Sequence, residues 1–137
     1  MEPEERDSPT WVATIVVMAS QHEQLNEHGG LHGVRDRNAL ESALHRPQHR
    51  HTYDADADLA DLAAAYAFGI TTSHPFNDGN KRAAYITAAI FLDLNGCELA
   101  HTDEDIVRVM LAVAAGEMGE EDLAQWFRDS LQPATSS

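Results

Sequence analysis

The chain is poor in cationic charge, in cysteine and in long apolar runs. Its 137 residues carry 9 Lys plus Arg against 23 Asp plus Glu, a formal net charge of -14. A surface this acidic excludes general nucleic-acid binding, because a phosphate backbone needs a basic footprint. A single cysteine, Cys97, excludes an internal disulfide and points to a reducing, cytoplasmic setting. The longest apolar run, Trp11–Ala19 broken by Thr14, is far too short to span a bilayer. No basic stretch precedes it, so it does not read as a secretory signal. There is no convincing strand alternation and no repeat, and the Asp-Ala-Asp-Ala-Asp run at 54–58 is the one biased segment. What remains is an ordinary apolar fraction of 43%, enough for one packed domain.

Helical signals fill that domain. Ser8-Pro9 reads as a cap and first position for a helix to about Glu27, stopped by Gly29-Gly30. Asp36 caps a second, from Arg37 to about His45, which Pro47 ends. Residues 46–57 read as a polar loop. Asp58 to about Ser73 carries Leu59, Leu62, Ala63, Tyr66 and Ile70 at helical spacing. A fourth helix runs from Asn80 to about Asn95, with Gly96 as its stop. Its stretch Ala83–Leu92 is apolar nearly all round, the mark of a buried central helix. Thr102 caps a fifth, to about Ala115, and Glu120 to about Leu131 is a sixth. The expected class is all-α: about six helices around a buried central one. Residues 9–131 form the single domain, between flexible ends at 1–8 and 132–137. Trp11, Trp126 and Phe127 are read as core.

Between the third and fourth helices lies His74-Pro75-Phe76-Asn77-Asp78-Gly79-Asn80-Lys81-Arg82. A neutral imidazole at His74 can take a proton from an attacking hydroxyl. Asp78 offers the oxygen ligand that Mg²⁺ prefers. Gly79 allows a positive φ and a close backbone approach. Asn80, Lys81 and Arg82 open a helix whose free N–H groups and positive dipole end favour an anion. Arg82 adds bidentate phosphate contacts and Lys81, the only lysine in the chain, a point charge. Phe76 is the expected anchor that sinks into the core. Base, metal ligand and phosphate cradle together describe transfer of a phosphoryl-type group from a nucleotide to a hydroxyl. Taken singly, His-Pro and Asn-Asp-Gly are common turn sequences; the whole string is much rarer.

The string resembles the Fic/Doc signature, His-x-Phe-x-(Asp/Glu)-(Gly/Ala)-Asn-x-Arg. With Lys81 in place of a second glycine it is most similar to the Doc (death on curing) branch. Gly29–Asp36, Glu41–Pro47, Phe91–Gly96 and Ala114–Glu117 extend the resemblance over most of the chain. The resemblance implies a Fic fold. It also implies His74 as catalytic base, Asp78 as ligand of Mg²⁺ bridging nucleotide phosphates, Gly79 and Asn80 as anion cradle, and Arg82 as phosphate contact.

Doc-type enzymes pass the γ-phosphate of ATP, or another NTP, to a threonine of elongation factor Tu and so stop translation. Standard Fic enzymes instead transfer AMP to Ser, Thr or Tyr, and usually carry a second Arg where this chain has Tyr85. A catalytically idle Fic-fold binding module is the remaining alternative. Neither end carries the (Ser/Thr)-x-x-x-Glu-(Gly/Asn) helix that silences many Fic proteins in cis. The expected silencing partner is therefore a cognate antitoxin acting in trans. Elongation factor Tu or another translation protein is the expected target. Neither nucleic acid nor membrane is an expected partner, and self-association is left open. Tyr53 with Arg46, His49, Arg50 and His51 is a candidate docking segment. His45, His49 and His51 invite a metal-site reading, but no Cys or second cluster in the sequence supports it, and a surface loop is the better reading.

Overall fold

A computed structural model describes residues 8–134. The expected flexible end at 1–8 thus lies almost wholly outside the described residues, as do the last three residues of the other. Six helices follow in chain order: α1 (Thr14–His28), α2 (Arg37–Tyr53), α3 (Leu59–Ser73), α4 (Asn80–Leu94), α5 (Asp103–Ala114) and α6 (Glu120–Asp129). Two short strands, β1 (Cys97–Leu99) and β2 (Leu131–Pro133), pair antiparallel. The class is all-α. Among the described residues no helix is long and apolar enough to cross a membrane.

The central helix is α3, where the sequence pointed to α4. Ala60, Leu62, Ala63, Ala64, Ala65, Tyr66, Ala67, Gly69 and Ile70 of α3 are all buried. Small side chains on every face let α2, α4 and α6 close on it from several sides. α4 contributes Ala83, Ala84, Thr87, Ala88, Phe91 and Leu92 to the core but exposes Lys81, Arg82 and Asp93. Its position against α3 places the intervening loop at one end of the core.

Three boundaries differ from expectation, each because a long-range contact outweighs a local signal. α1 begins at Thr14, not Pro9. Residues 10–12 lie outside any helix, and distant groups take their polar atoms. Thr10 N–H donates to Asn95 Oδ1 (2.8 Å) and its carbonyl accepts from Asn95 Nδ2 (2.9 Å). Val12 N–H donates to the buried Tyr66 hydroxyl at 3.0 Å, and Trp11 stacks on Phe91 at 5.7 Å.

α2 continues through Pro47 to Tyr53, so residues 46–53 are helix and not loop. A mid-helix proline costs about 3 kcal/mol. Burial of Leu40, Ala43, Leu44 and Pro47 together opposes that cost. Beyond the proline, Arg50 meets Asp54 (3.1 Å), Asp61 (3.7 Å) and Glu120 (3.6 Å). At the other end, α6 stops at Asp129 and Leu131–Pro133 becomes β2, pairing Leu131 with Leu99 and Pro133 with Cys97. The tail expected to fray from 132 is therefore strand for its first two residues. Three-residue strands are too short to show alternation in sequence.

Helix starts follow local chemistry more closely. Asp58 accepts from Asp61 N–H (2.9 Å) while Asp61 accepts from Asp58 N–H (3.0 Å), a reciprocal capping box. Asp36 caps α2 through Ala39 N–H, and Thr102 caps α5 through Asp105 N–H.

Candidate active site

α3 ends on His74, whose φ of 49° and ψ of 58° are left-handed. Among non-glycine described residues, His74 alone has a positive φ. That conformation costs about 1 kcal/mol outside glycine and must be held. Arg35 holds it. Its guanidinium donates Nε–H to the His74 carbonyl (2.8 Å) and an Nη2–H to the Ser73 carbonyl (3.0 Å). These are carbonyls that the helix end leaves without intrahelical donors. The Pro75 carbonyl then accepts from the backbone N–H groups of Arg35 (2.7 Å) and Asp36 (3.1 Å). Val34 bridges Phe76, and Asn77 N–H donates to the Gly33 carbonyl at 3.1 Å. Residues 31–36 thus form a strap that runs along the motif and sets its path.

Inside the loop, Phe76 is the anchor at 1% exposure. The Asn80 carboxamide closes the turn around it. Oδ1 accepts from Phe76 N–H (2.9 Å) and Nδ2 donates to the Phe76 carbonyl (3.0 Å). The Asn80 side chain is thus committed to shaping the turn around Phe76. Gly79, with φ 74°, starts α4. Asp78 is positioned twice: Leu31 N–H donates to its Oδ2 at 2.7 Å, and Gln21 Nε2 of α1 donates to its carbonyl at 3.2 Å. Gly30 makes the first contact feasible. Its φ is +126°, and a Cβ there would lie 3.3 Å from Asp78 Cβ and 2.7 Å from Leu25 Cδ2.

The cations sort cleanly. Arg37, Arg46, Arg50, Arg108 and Arg128 each lie within ion-pair distance of a carboxylate. Arg35 is spent on carbonyls. Lys81 and Arg82 have no carboxylate partner among the described residues, and both are exposed. The first turn of α4 holds no acidic residue and no side-chain cap, so its N–H groups are open beside them. His74 and Asp78 are exposed next to this turn. Two cations beside open amides at a helix N-terminus are chemically suited to attract an anion.

The chemistry of Asp78 fits Mg²⁺. Its carboxylate is exposed, and Leu31 engages one of its two oxygens. Among the described residues no three His, Cys, Asp or Glu gather as an all-protein cage. One carboxylate completed by phosphate oxygens and water is the usual Mg²⁺ arrangement.

Tyr85, one turn after Lys81, faces away from this chemistry. Its hydroxyl lies 3.0 Å from His101 Nδ1, and its ring lies 6.2 Å from both Trp126 and Phe127. Burial, then the charge of Asp103, pushes its phenol up to about 12. Arg46 and Arg50 of the candidate docking segment are tied to Glu120 on α6. Sequence reasoning missed Arg35, Leu31 and Gln21. Nothing in the sequence marks an arginine 39 residues away as a clamp on the His74 carbonyl, or a main-chain amide or a glutamine 57 residues away as a partner of Asp78.

A family model described as the Fic/DOC family matches residues 11–92, which include the whole motif. The chain belongs to the Fic/DOC family, and its six helices are the Fic fold. It is 30% identical over 112 residues to Protein kinase doc of Escherichia phage P1, spanning 82% of this chain and 88% of that one. It is 42% identical over 81 residues to Toxin Doc of Mycolicibacterium smegmatis, spanning 58% of this chain and 62% of that one.

Proposed function

We propose that this chain is a Doc-type toxin that transfers the γ-phosphate of ATP, or of another NTP, to a threonine hydroxyl of a translation protein, with elongation factor Tu as the expected target. The observation that carries this reading is the pair Lys81 and Arg82, unpaired with carboxylate among the described residues and flanking open helix amides. The names of the two relatives, a kinase and a toxin, support it.

In the proposed reaction a ring nitrogen of His74 accepts the proton of the attacking hydroxyl. The freed oxygen bonds to Pγ, the bond from Pγ to the β–γ bridging oxygen breaks, and the nucleoside diphosphate leaves with that oxygen. Asp78 would hold Mg²⁺, which would supply charge neutralisation to the phosphates. Arg82 and the α4 amides bind the phosphate chain. Lys81 fills the place of a second glycine and so favours presentation of the γ-phosphate over the α-phosphate. A separate antitoxin silences the chain in trans, in the cytoplasm.

Incubation of protein and target with ATP labelled separately at the α and γ positions tests the reaction. Label from γ alone is expected; label retained from α alone means AMP transfer and overturns the kinase reading. Lys81→Gly is expected to lose γ transfer, and an unaltered rate would refute the role given to Lys81. Induced wild-type chain is expected to arrest growth. Growth equal to that with a His74→Asn variant would leave an idle binding module.

A further inference from the structure

His22 on α1 and His32 on the strap stand outside the phosphate chemistry, yet their rings meet. Nδ1 of one lies 3.1 Å from Nδ1 of the other, with ring centroids 4.5 Å apart and planes tilted by 54°. Both residues are exposed, so the pair is open to solvent and to ions. We propose that His22 and His32 are a two-imidazole site for a borderline transition-metal cation, Zn²⁺ foremost, that fastens the strap to α1.

Three observations carry the site. The first is spacing. Zn–N bonds are about 2.05 Å, so nitrogens 3.1 Å apart subtend about 98° at a shared cation. That lies between the octahedral and tetrahedral angles, so the separation matches that of two cis ligands. The second is ligand type. Imidazole nitrogens select Zn²⁺ and its neighbours, whereas the Asp78 carboxylate suits Mg²⁺, so the two cations do not compete for one position. The third is anchorage. The His32 carbonyl accepts from Asn77 Nδ2 at 3.1 Å, which fixes the strap at this residue from the motif side.

No third His, Cys, Asp or Glu joins the pair among the described residues, so water or a ligand oxygen completes the coordination. Such a two-ligand site leaves coordination positions open to exchange. Its position matters because Leu31, the next residue, donates to Asp78. A cation that stiffens His32 against α1 therefore stiffens the segment that orients Asp78. The binding itself does not depend on the function proposed above. The ordinary alternative is an N–H···N hydrogen bond between neutral rings with no affinity for metal.

Tag-free chain titrated with Zn²⁺ in a calorimeter separates the two. The parent should carry His45→Asn and His49→Asn, because those rings sit one turn apart on α2, 6.3 Å between centroids, and offer a competing helical pair. One Zn²⁺ per chain is expected, with binding at least tenfold weaker in His22→Asn and in His32→Asn. Zn²⁺ is also expected to raise the melting temperature of the parent but not of either variant. The variants change exposed rings, and unchanged circular dichroism in the absence of metal verifies their fold. No uptake by the parent, or equal uptake by parent and variants, overturns the proposal.

Discussion

The two ends of α3 treat charge in opposite ways. At its start, Asp58 and Asp61 meet Arg128 at 2.8 and 3.0 Å, while Arg50 reaches Asp54, Asp61 and Glu120. Every cation there is matched to acid. At its end, His74, Asp78, Lys81 and Arg82 stand exposed, and the two cations have no acid partner among the described residues. In a chain with 23 acids and 9 bases, leaving cations unpaired is the less expected outcome. The first end uses its charge to hold helices together; the second leaves its cations free of such ties, as the proposed function requires. Substitutions at the first end should move stability and spare activity, and at the second end the reverse.

The largest expected effect is on the open end. His74→Asn keeps a residue that tolerates the left-handed backbone while removing the proposed base. Phosphate transfer should fall by about 10²- to 10⁴-fold with the melting temperature unchanged. A residual rate within tenfold of wild type would remove His74 from the chemistry.

Phe76→Ala tests where the comparison stops, since Phe76 belongs to the motif but lies in the core at 1% exposure. It should destabilise by about 3–5 kcal/mol in denaturant titration, the loss expected of a buried phenylalanine.

Arg35→Ala divides its effect. It frees the Ser73 and His74 carbonyls, which reach water more readily than a core atom would, so stability should fall by about 1 kcal/mol. Activity should fall by more than the matching factor, because the left-handed turn at His74 loses its clamp. Equal loss of both would mean that Arg35 is structural only.

The smallest effect is at the paired end. The Arg128 guanidinium, by hydrogen bonding, holds the Asp58 carboxyl down to about 2, against an ordinary value near 3.8. A depressed folded-state value stabilises the fold above the ordinary value, and that stability is lost as pH falls through the folded one. Arg128→Ala should therefore cost about 1 kcal/mol above pH 4, given the exposure of the pair, and its difference from wild type should vanish toward pH 2. A difference that persists below pH 2 would assign the effect to packing of the Arg128 stem.

Much of this was legible before folding. His74 to Arg82 are consecutive, so no tertiary information is needed to bring them together. Asp36, Asp58 and Thr102 announced helix starts because a cap acts within three residues. The helix through Pro47 was not legible, because the local signal says stop and only α3 and Glu120 say otherwise. Nor was the non-helical run before α1, whose polar atoms are taken by Tyr66 and Asn95, 54 and 85 residues away.

The chain by itself determined which groups the candidate site contains, since nine consecutive residues have no way to separate. Only the tertiary structure decided how those groups are held. Arg35, Leu31 and Gln21 reach the motif by folding of α1 and the strap against it, and hydrogen bonds between residues 38 to 57 positions apart leave no periodic trace in sequence. The same holds for charge. Composition counts acids and bases, but which cations stay unpaired depends on where each helix packs.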